Sequence, residues 1–151
     1  ERTMSPNQPS ALLEQQHRRI DEGIKAAIQG AAPPAALAEA LQLLRQHIHL
    51  EEAVLFPPLE RAGLSMPIFV MQREHGQMWP LIDELLAADA ATMPALGREL
   101  FQMLQIHNPK EEQILYKAAD QADEAGNDGA LLHALQAACM PEGWVCAMAP
   151  R

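Results

Sequence analysis

The chain has 151 residues, of which 48% are apolar, a length and composition that fit one domain with a single core. Its formal net charge of −9 argues against a nucleic acid or an anionic membrane as partner, because both attract a basic surface. No apolar run approaches the roughly 20 residues of a membrane span, no secretory segment is evident, and two cysteines make no disulfide framework, so we expect a cytoplasmic location.

The choice of residues favours helices throughout the chain. It contains 26 Ala and 20 Leu, against 13 β-branched residues that strands would prefer. Ser10 is expected to cap the first helix, and Pro57 with Pro58 to end the second. Apolar residues at helical spacing, separated by glycine and proline clusters, predict long helices at 10–29, 35–56, 65–85 and 94–119, and a short one at 130–139.

Short connections between long helices make sequential neighbours antiparallel. We therefore expect an all-α protein with an up-down-up-down four-helix bundle at 10–120. The remaining segment, 127–151, should add the short fifth helix and an irregular tail that belong to the same domain. This apolar tail either covers the bundle or forms a homodimer contact, and its spacing does not decide between the two.

Polar residues occur inside the apolar stripes of all four long helices. Residues four apart on a helix lie on one face, so each histidine followed by a glutamate at that spacing presents an imidazole and a carboxylate together. Buried carboxylates and imidazoles need a compensating charge. The six residues concerned are His17, His47, Glu51, His75, His107 and Glu111.

Two segments that lie 60 residues apart, beginning at His47 and His107, share His, Glu, Glu and Leu in register. Four imidazoles and two carboxylates suit two first-row metal ions, with both glutamates bridging and two histidines on each ion. Neither His-Glu-x-x-His nor Cys-x-x-Cys occurs, which disfavours a zinc protease and a structural zinc site. Metal ligands are thus the preferred interpretation over ordinary core histidines.

Other polar residues receive different interpretations. His49 should face away from the core, either in solvent or at an interface, and His133, which is off the apolar stripe of its segment, should be exposed. Glu52 and Glu112 should lie on the flank of the site and pair with its residues. The cysteines, Cys139 and Cys146, should be free thiols. Tyr116, the single tyrosine, is expected near one end of the site.

The combination of residues resembles the signature of the hemerythrin-like (HHE cation-binding) domain family. The resemblance rests on His17, on Glu74-His75, and on the two segments His47-x-x-x-Glu51-Glu52-x-x-Leu55-Phe56-Pro57 and His107-x-x-x-Glu111-Glu112-x-x-Leu115-Tyr116. It implies a four-helix bundle that holds two iron ions in a carboxylate-bridged, non-haem centre. Ligand chemistry alone leaves manganese or a mixed pair open.

The ligand set is more similar to the branch associated with nitric oxide response and iron-sulfur repair than to the oxygen carriers. The carriers have a fifth histidine one turn from the third-helix ligand, where this chain has Met71 and Trp79. The resemblance implies binding of O2, NO or peroxide for sensing, scavenging or stress response. Iron donation in iron-sulfur repair and a metal-stabilised interaction module are the alternatives, and whether the protein is an enzyme stays open.

Overall fold

The computed structural model describes residues 7–31, 33–126 and 129–150. These residues form helices and no strand, which confirms the all-α prediction. Two turns of π-helix, named π1 and π2, interrupt the α-helices. The elements are α1 (Pro9–Ile28), α2 (Pro34–Leu50), π1 (Glu51–Leu55), α3 (Phe56–Arg61), α4 (Ser65–Ala87), α5 (Met93–Lys110), π2 (Glu111–Leu115), α6 (Tyr116–Gly126) and α7 (Ala130–Ala137).

Four long helices form the bundle. Two are α1 and α4, and the other two are the continuous runs α2-π1-α3 and α5-π2-α6. Both α1 and α4 pack against α2 and α5, so the four helices close into a ring around one core. The short α7 packs against α6, π1 and α1. None of the described helices is both long and apolar enough to cross a membrane.

Two predicted helix boundaries are wrong. The first helix begins at Pro9 with Gln8 as its N-cap, because the side chain of Ser10 binds Asp120 instead of capping the helix. The second does not stop at Pro57 and Pro58 but continues to Arg61.

The π turns explain why the second helix passes its prolines. The Phe56 N–H bonds to the carbonyl oxygen of Glu51, five residues back, and the helix then restarts with Pro57 and Pro58 in the first turn of α3. A missing N–H is tolerated in a first turn, since that group has no partner within the helix. In the second copy, the Tyr116 N–H bonds to the Glu111 carbonyl in the same way.

The core consists of two apolar clusters with a polar layer between them. Along α1, Leu13 belongs to one cluster and Ile20 and Ile24 belong to the other, with His17 between them. The second long helix, α2-π1-α3, has the clusters in the opposite order along the chain: Leu44 lies before His47 in one cluster, and Leu55 follows in the other. The polar residues therefore lie in the interior of the bundle, with apolar side chains above and below.

The C-terminal tail covers one side of this bundle. Trp144 packs edge-on against Trp79 and His49, with ring centroids 5.6 and 4.9 Å away, and Cys146 is buried beneath it. Of the two roles expected for the tail, the described residues show the covering role. Of the two places expected for His49, solvent or an interface, the structure excludes solvent, because the residue packs against the tail and is only 5% exposed.

The predicted turn at 126–129 is described only in part. Gly129 adopts a left-handed conformation, with a φ of 65°, at the start of α7. Asn127 and Asp128 lie outside the described residues.

Candidate metal centre

All six residues that the sequence singles out meet in the polar layer. Each long helix contributes one histidine from an α-helical stretch, and the two glutamates are the first residues of π1 and π2. Every one of the six side chains is buried, and both glutamates are completely so. Their ligand atoms gather into two groups of four, with all atoms of a group within 4.8 Å of one another.

The two groups share both carboxylates. We name them site A, which comprises His17, His47, Glu51 and Glu111, and site B, which comprises Glu51, His75, His107 and Glu111. The histidines of site A come from α1 and α2, and those of site B come from α4 and α5.

Each carboxylate directs one oxygen toward each site. Glu51 Oε2 lies 3.2 Å from His47 Nε2 in site A, and its Oε1 lies 3.0 Å from His75 Nε2 in site B. Glu111 Oε1 lies 3.1 Å from His17 Nε2 in site A, and its Oε2 lies 2.9 Å from His107 Nε2 in site B. This arrangement matches what two bridging carboxylates require.

The outer nitrogen of every imidazole is held by a neighbouring side chain. Such bonds fix the tautomer and orientation of a ligating histidine, so that all four rings present Nε2 to the centre. The Nδ1–H donors and their acceptors are His17 to Glu112 at 2.8 Å, His47 to Gln16 at 2.7 Å, His75 to Glu52 at 2.8 Å and His107 to Glu74 at 2.7 Å.

The expected flanking roles of Glu52 and Glu112 are confirmed, whereas Gln16 and Glu74 were missed as partners. Both missed residues directly precede a stripe histidine on their own helix but serve a histidine on a neighbouring helix. That adjacency is the signal that could have found them. Lys110 pairs with the second oxygen of Glu74 and so fixes this carboxylate further.

Tyr116 lies inside the centre rather than at its margin. Its side chain is fully buried, and its hydroxyl donates a hydrogen bond of 2.5 Å to Glu51 Oε2. The hydroxyl oxygen of Tyr116 also lies 3.0 Å from His17 Nε2 and 3.2 Å from His47 Nε2.

The charges of the centre shift the pKa values of its residues strongly. Burial alone would lower the pKa of His17, but hydrogen bonds and charges from Glu111, Glu51 and Glu112 overcome this and raise it to about 9. Burial is overcome in the same way at His75 and His107, whose pKa values are also raised by the neighbouring carboxylates.

The carboxylates respond in the opposite direction. Burial acts to raise the pKa of Glu111, yet His107, His17 and His75 hold it well below its ordinary value. Burial and the charge of Glu111 act to raise the pKa of Glu51, but His47 and His75 lower it below its ordinary value. The core therefore concentrates negative charge that must be matched by bound cations or protons.

Unpartnered atoms show that the residues fit a metal. Among the buried polar atoms that make no hydrogen bond in the described part of the chain are Glu51 Oε1, His75 Nε2 and Glu111 Oε2, and all three face site B. Their near polar neighbours include one another and His107 Nε2, at 2.9 to 3.4 Å, so either protons on the imidazoles or a bound cation must offset the charge of the carboxylates. Imidazole nitrogen and carboxylate oxygen are donors that suit first-row transition metals.

The remaining candidate residues lie elsewhere. His133 is exposed, as predicted. Cys139 and Cys146 are both free thiols, the first exposed and the second buried, which also agrees with the sequence interpretation.

A family model described as the hemerythrin HHE cation binding domain matches residues 8–128. Comparison with curated proteins gave no match, and comparison with solved structures gave none either.

Proposed function

This chain belongs to the hemerythrin HHE cation-binding family, and from that premise we propose that its centre holds two iron ions and binds O2, NO or peroxide in sensing, scavenging or stress protection. The terminal ligands in this proposal are His17 and His47 at site A, and His75 and His107 at site B. The bridging ligands are Glu51 and Glu111.

One observation supports this function above all others. Two groups of four buried ligand atoms share both carboxylates, and the two oxygens of each carboxylate diverge toward different histidine pairs. A single-metal site would need no such sharing. The arrangement favours two ions side by side, which is what a two-electron reaction with a small oxidant uses.

Iron bound here would supply a centre that changes oxidation state and accepts small ligands at free coordination positions. The protein positions the donors, since each imidazole is held at Nδ1 and each glutamate is fixed at the start of a π turn. Apolar residues above and below keep bulk water away, among them Met71, Met78, Trp79 and Leu104, which are all at most 7% exposed.

We also propose that 10–120 is the metal-holding bundle and that 127–151 completes the same domain. Contacts of Trp144 with Trp79 and His49 support this division. Manganese or a mixed pair would satisfy the same donors, so the test measures both metals.

The test is metal analysis combined with optical spectroscopy. The full chain, purified from cells supplied with iron and manganese, should contain two metal ions per chain, and its reduced form should change spectrum on exposure to O2 or NO. His47→Ala and Glu51→Ala should lower the metal content and abolish the spectral change. His133→Ala, at an exposed histidine, is the matched control and should behave as the parent.

Either of two results would contradict the proposal. One is a parent protein that binds no metal under these conditions. The other is a spectrum that stays the same in the His47 and Glu51 variants.

A further inference from the structure

We propose that Tyr116 makes the two metal positions unequal: its hydroxyl oxygen is a fifth protein donor at site A, whereas site B has four, so site B has more exchangeable positions for a small ligand. This inference rests on the proposed function, because it requires iron in both sites.

The position of the hydroxyl oxygen is the first argument. It lies within hydrogen-bonding distance of all four donor atoms of site A: Glu51 Oε2 at 2.5 Å, His17 Nε2 at 3.0 Å, His47 Nε2 at 3.2 Å and Glu111 Oε1 at 3.2 Å. Adjacent donors around a first-row ion with bonds of about 2.1 Å are about 3 Å apart in an octahedral shell. The oxygen therefore lies at the distance expected of one more donor in the same shell.

The π2 turn is the reason that Tyr116 reaches this place. Tyr116 follows Glu111 by five residues, and in a regular α-helix it would point about 140° away from that glutamate. The i to i+5 bond of the π turn brings residues five apart back to one face. Both side chains are consequently directed into the core, where neither has any exposed surface.

Site B has a matching ring without the oxygen. Phe56 follows Glu51 by five residues across π1, and its ring packs nearly parallel to His75, with centroids 6.0 Å apart. The Tyr116 ring packs on His17 in the corresponding way, with centroids 5.4 Å apart. The two copies thus place an aromatic ring at equivalent positions, but only one of them presents a donor atom.

The two sites also differ in the hydrogen bonds of their shared carboxylates. The hydroxyl of Tyr116 donates to the site A oxygen of Glu51 and lies 3.2 Å from that of Glu111. The site B oxygens of the same two residues, and His75 Nε2 with them, make no hydrogen bond in the described residues. The shared carboxylates therefore have a phenol oxygen beside them in site A and no hydroxyl donor in site B.

The coordination step involves no change of oxidation state. The phenol oxygen contributes a lone pair to the metal, its O–H bond breaks, and the proton passes to solvent, as it does for other protein ligands that bind deprotonated. A tyrosinate bound to iron(III) has a charge-transfer absorption in the visible range. Since Tyr116 is the single tyrosine of the chain, such an absorption has one assignment.

The experiment uses the full chain loaded with iron(II) without oxygen and then oxidised with ferricyanide. We expect a tyrosinate-to-iron(III) band whose resonance Raman lines shift when the protein is grown with ring-deuterated tyrosine. Titration with azide should show a first azide that binds more tightly than a second. Tyr116→Phe, which retains the ring, should keep two irons, lose the band and bind two azides with similar affinities.

Phe56→Leu is the control, since it removes the matching ring and no oxygen, and it should keep the band. Labelling tests the unaltered chain, so the result does not depend on how a variant folds. A parent protein with two irons and no tyrosine-derived band overturns this inference alone, as does a band that survives in Tyr116→Phe or is lost in Phe56→Leu. A parent protein that binds no iron overturns the proposed function instead.

Discussion

Each imidazole of the centre has two defined contacts, one inward at Nε2 and one outward at Nδ1. Three of the outward partners are carboxylates, whereas His47 is held by the neutral amide of Gln16. A carboxylate partner increases the basicity of an imidazole ligand more than an amide does. Site B has two histidines of the first kind and site A has one, so the surrounding side chains add to the inequality that Tyr116 introduces.

The outer contacts should be measurable in metal affinity. Glu52→Gln keeps the shape of the side chain but removes the charge that faces His75 Nδ1, and we expect about 10- to 100-fold weaker metal binding. Glu60→Gln, at an exposed position on the same long helix, is the matched control. Competition with a chromogenic chelator measures both, and equal affinities in the two variants would contradict the expected role of Glu52.

The stability of the metal-free protein should depend on pH in a defined direction. The pKa of His17 is raised from 6.5 to about 9, so its stabilising contribution is complete below pH 6.5 and is lost as the pH rises through 9. His75 and His107 act in the same direction. From His17 alone, we expect the free energy of unfolding to fall by about 3 kcal/mol between pH 6.5 and 9.5.

Urea unfolding of chelator-treated protein at several pH values measures this loss. His17→Asn should flatten the dependence, because asparagine does not titrate in this range. Metal-free protein that is as stable at pH 9.5 as at pH 6.5 would rule out the imidazolium-carboxylate pairing described here.

At the residue scale, the stripe pattern was enough to find the six side chains that meet in the core. It succeeded because a polar residue at a buried helical position is costly and therefore informative. It did not decide between solvent and an interface for His49, since the irregular tail packs against that residue and helical spacing contains no information about the tail. Gln16 and Glu74 were missed because they act across helices.

At the scale of elements, the two π turns are the feature that the sequence did not reveal. Pro57, Pro58 and Pro109 lie close to these turns, and proline in a helical pattern predicts an end or a kink. The structure instead continues the helix and changes its register over five residues. This change of register brings Tyr116 to the same face as Glu111, whereas α-helical spacing alone would direct it away from that residue.

The packing of the tail on α4 gives a further prediction. A Cβ at Gly76 would lie 2.3 Å from the backbone carbonyl oxygen of Met148, so Gly76→Ala must displace the tail. The displaced segment includes Ala147, whose N–H donates to Glu52. We expect a loss of about 1–3 kcal/mol in stability and faster transfer of metal to a chelator.

Gly97→Ala is the control for this substitution. Its Cβ would meet a side-chain carbon of Ile28 at 3.0 Å, which can shift where a backbone oxygen cannot. Equal unfolding free energies and equal rates of metal loss in the two variants would show that the tail contact has no special role.

At the scale of the whole molecule, bound metal should stabilise the fold, because its ligands come from all four long helices. A ligand that binds only the folded state stabilises it by about 2.7 kcal/mol at a concentration 100 times its Kd. We expect iron loading to raise the Tm and chelation to lower it again. Glu111→Gln, which weakens both sites at once, should remove this response, and a Tm insensitive to iron in the parent protein would contradict the expectation.

The four-helix bundle was largely predictable from the sequence, whereas the position of the C-terminal tail on it was not. Four amphipathic segments with short connections leave few alternatives to a bundle, and the position of each stripe histidine fixes a common level for the polar layer. The placement of Trp144 and Cys146 depends on contacts between residues distant in the chain, for which no local pattern exists.

The sharing of Glu111 by both sites has a consequence for the growing polypeptide. On the proposed ligand assignment, a ribosome that has synthesised three helices has produced three histidines and one bridging glutamate, but neither ion has its full set of donors. His107, Glu111 and Tyr116 emerge last and close together. On this assignment, an interrupted translation product that lacks the fourth long helix has no complete set of donors for either ion.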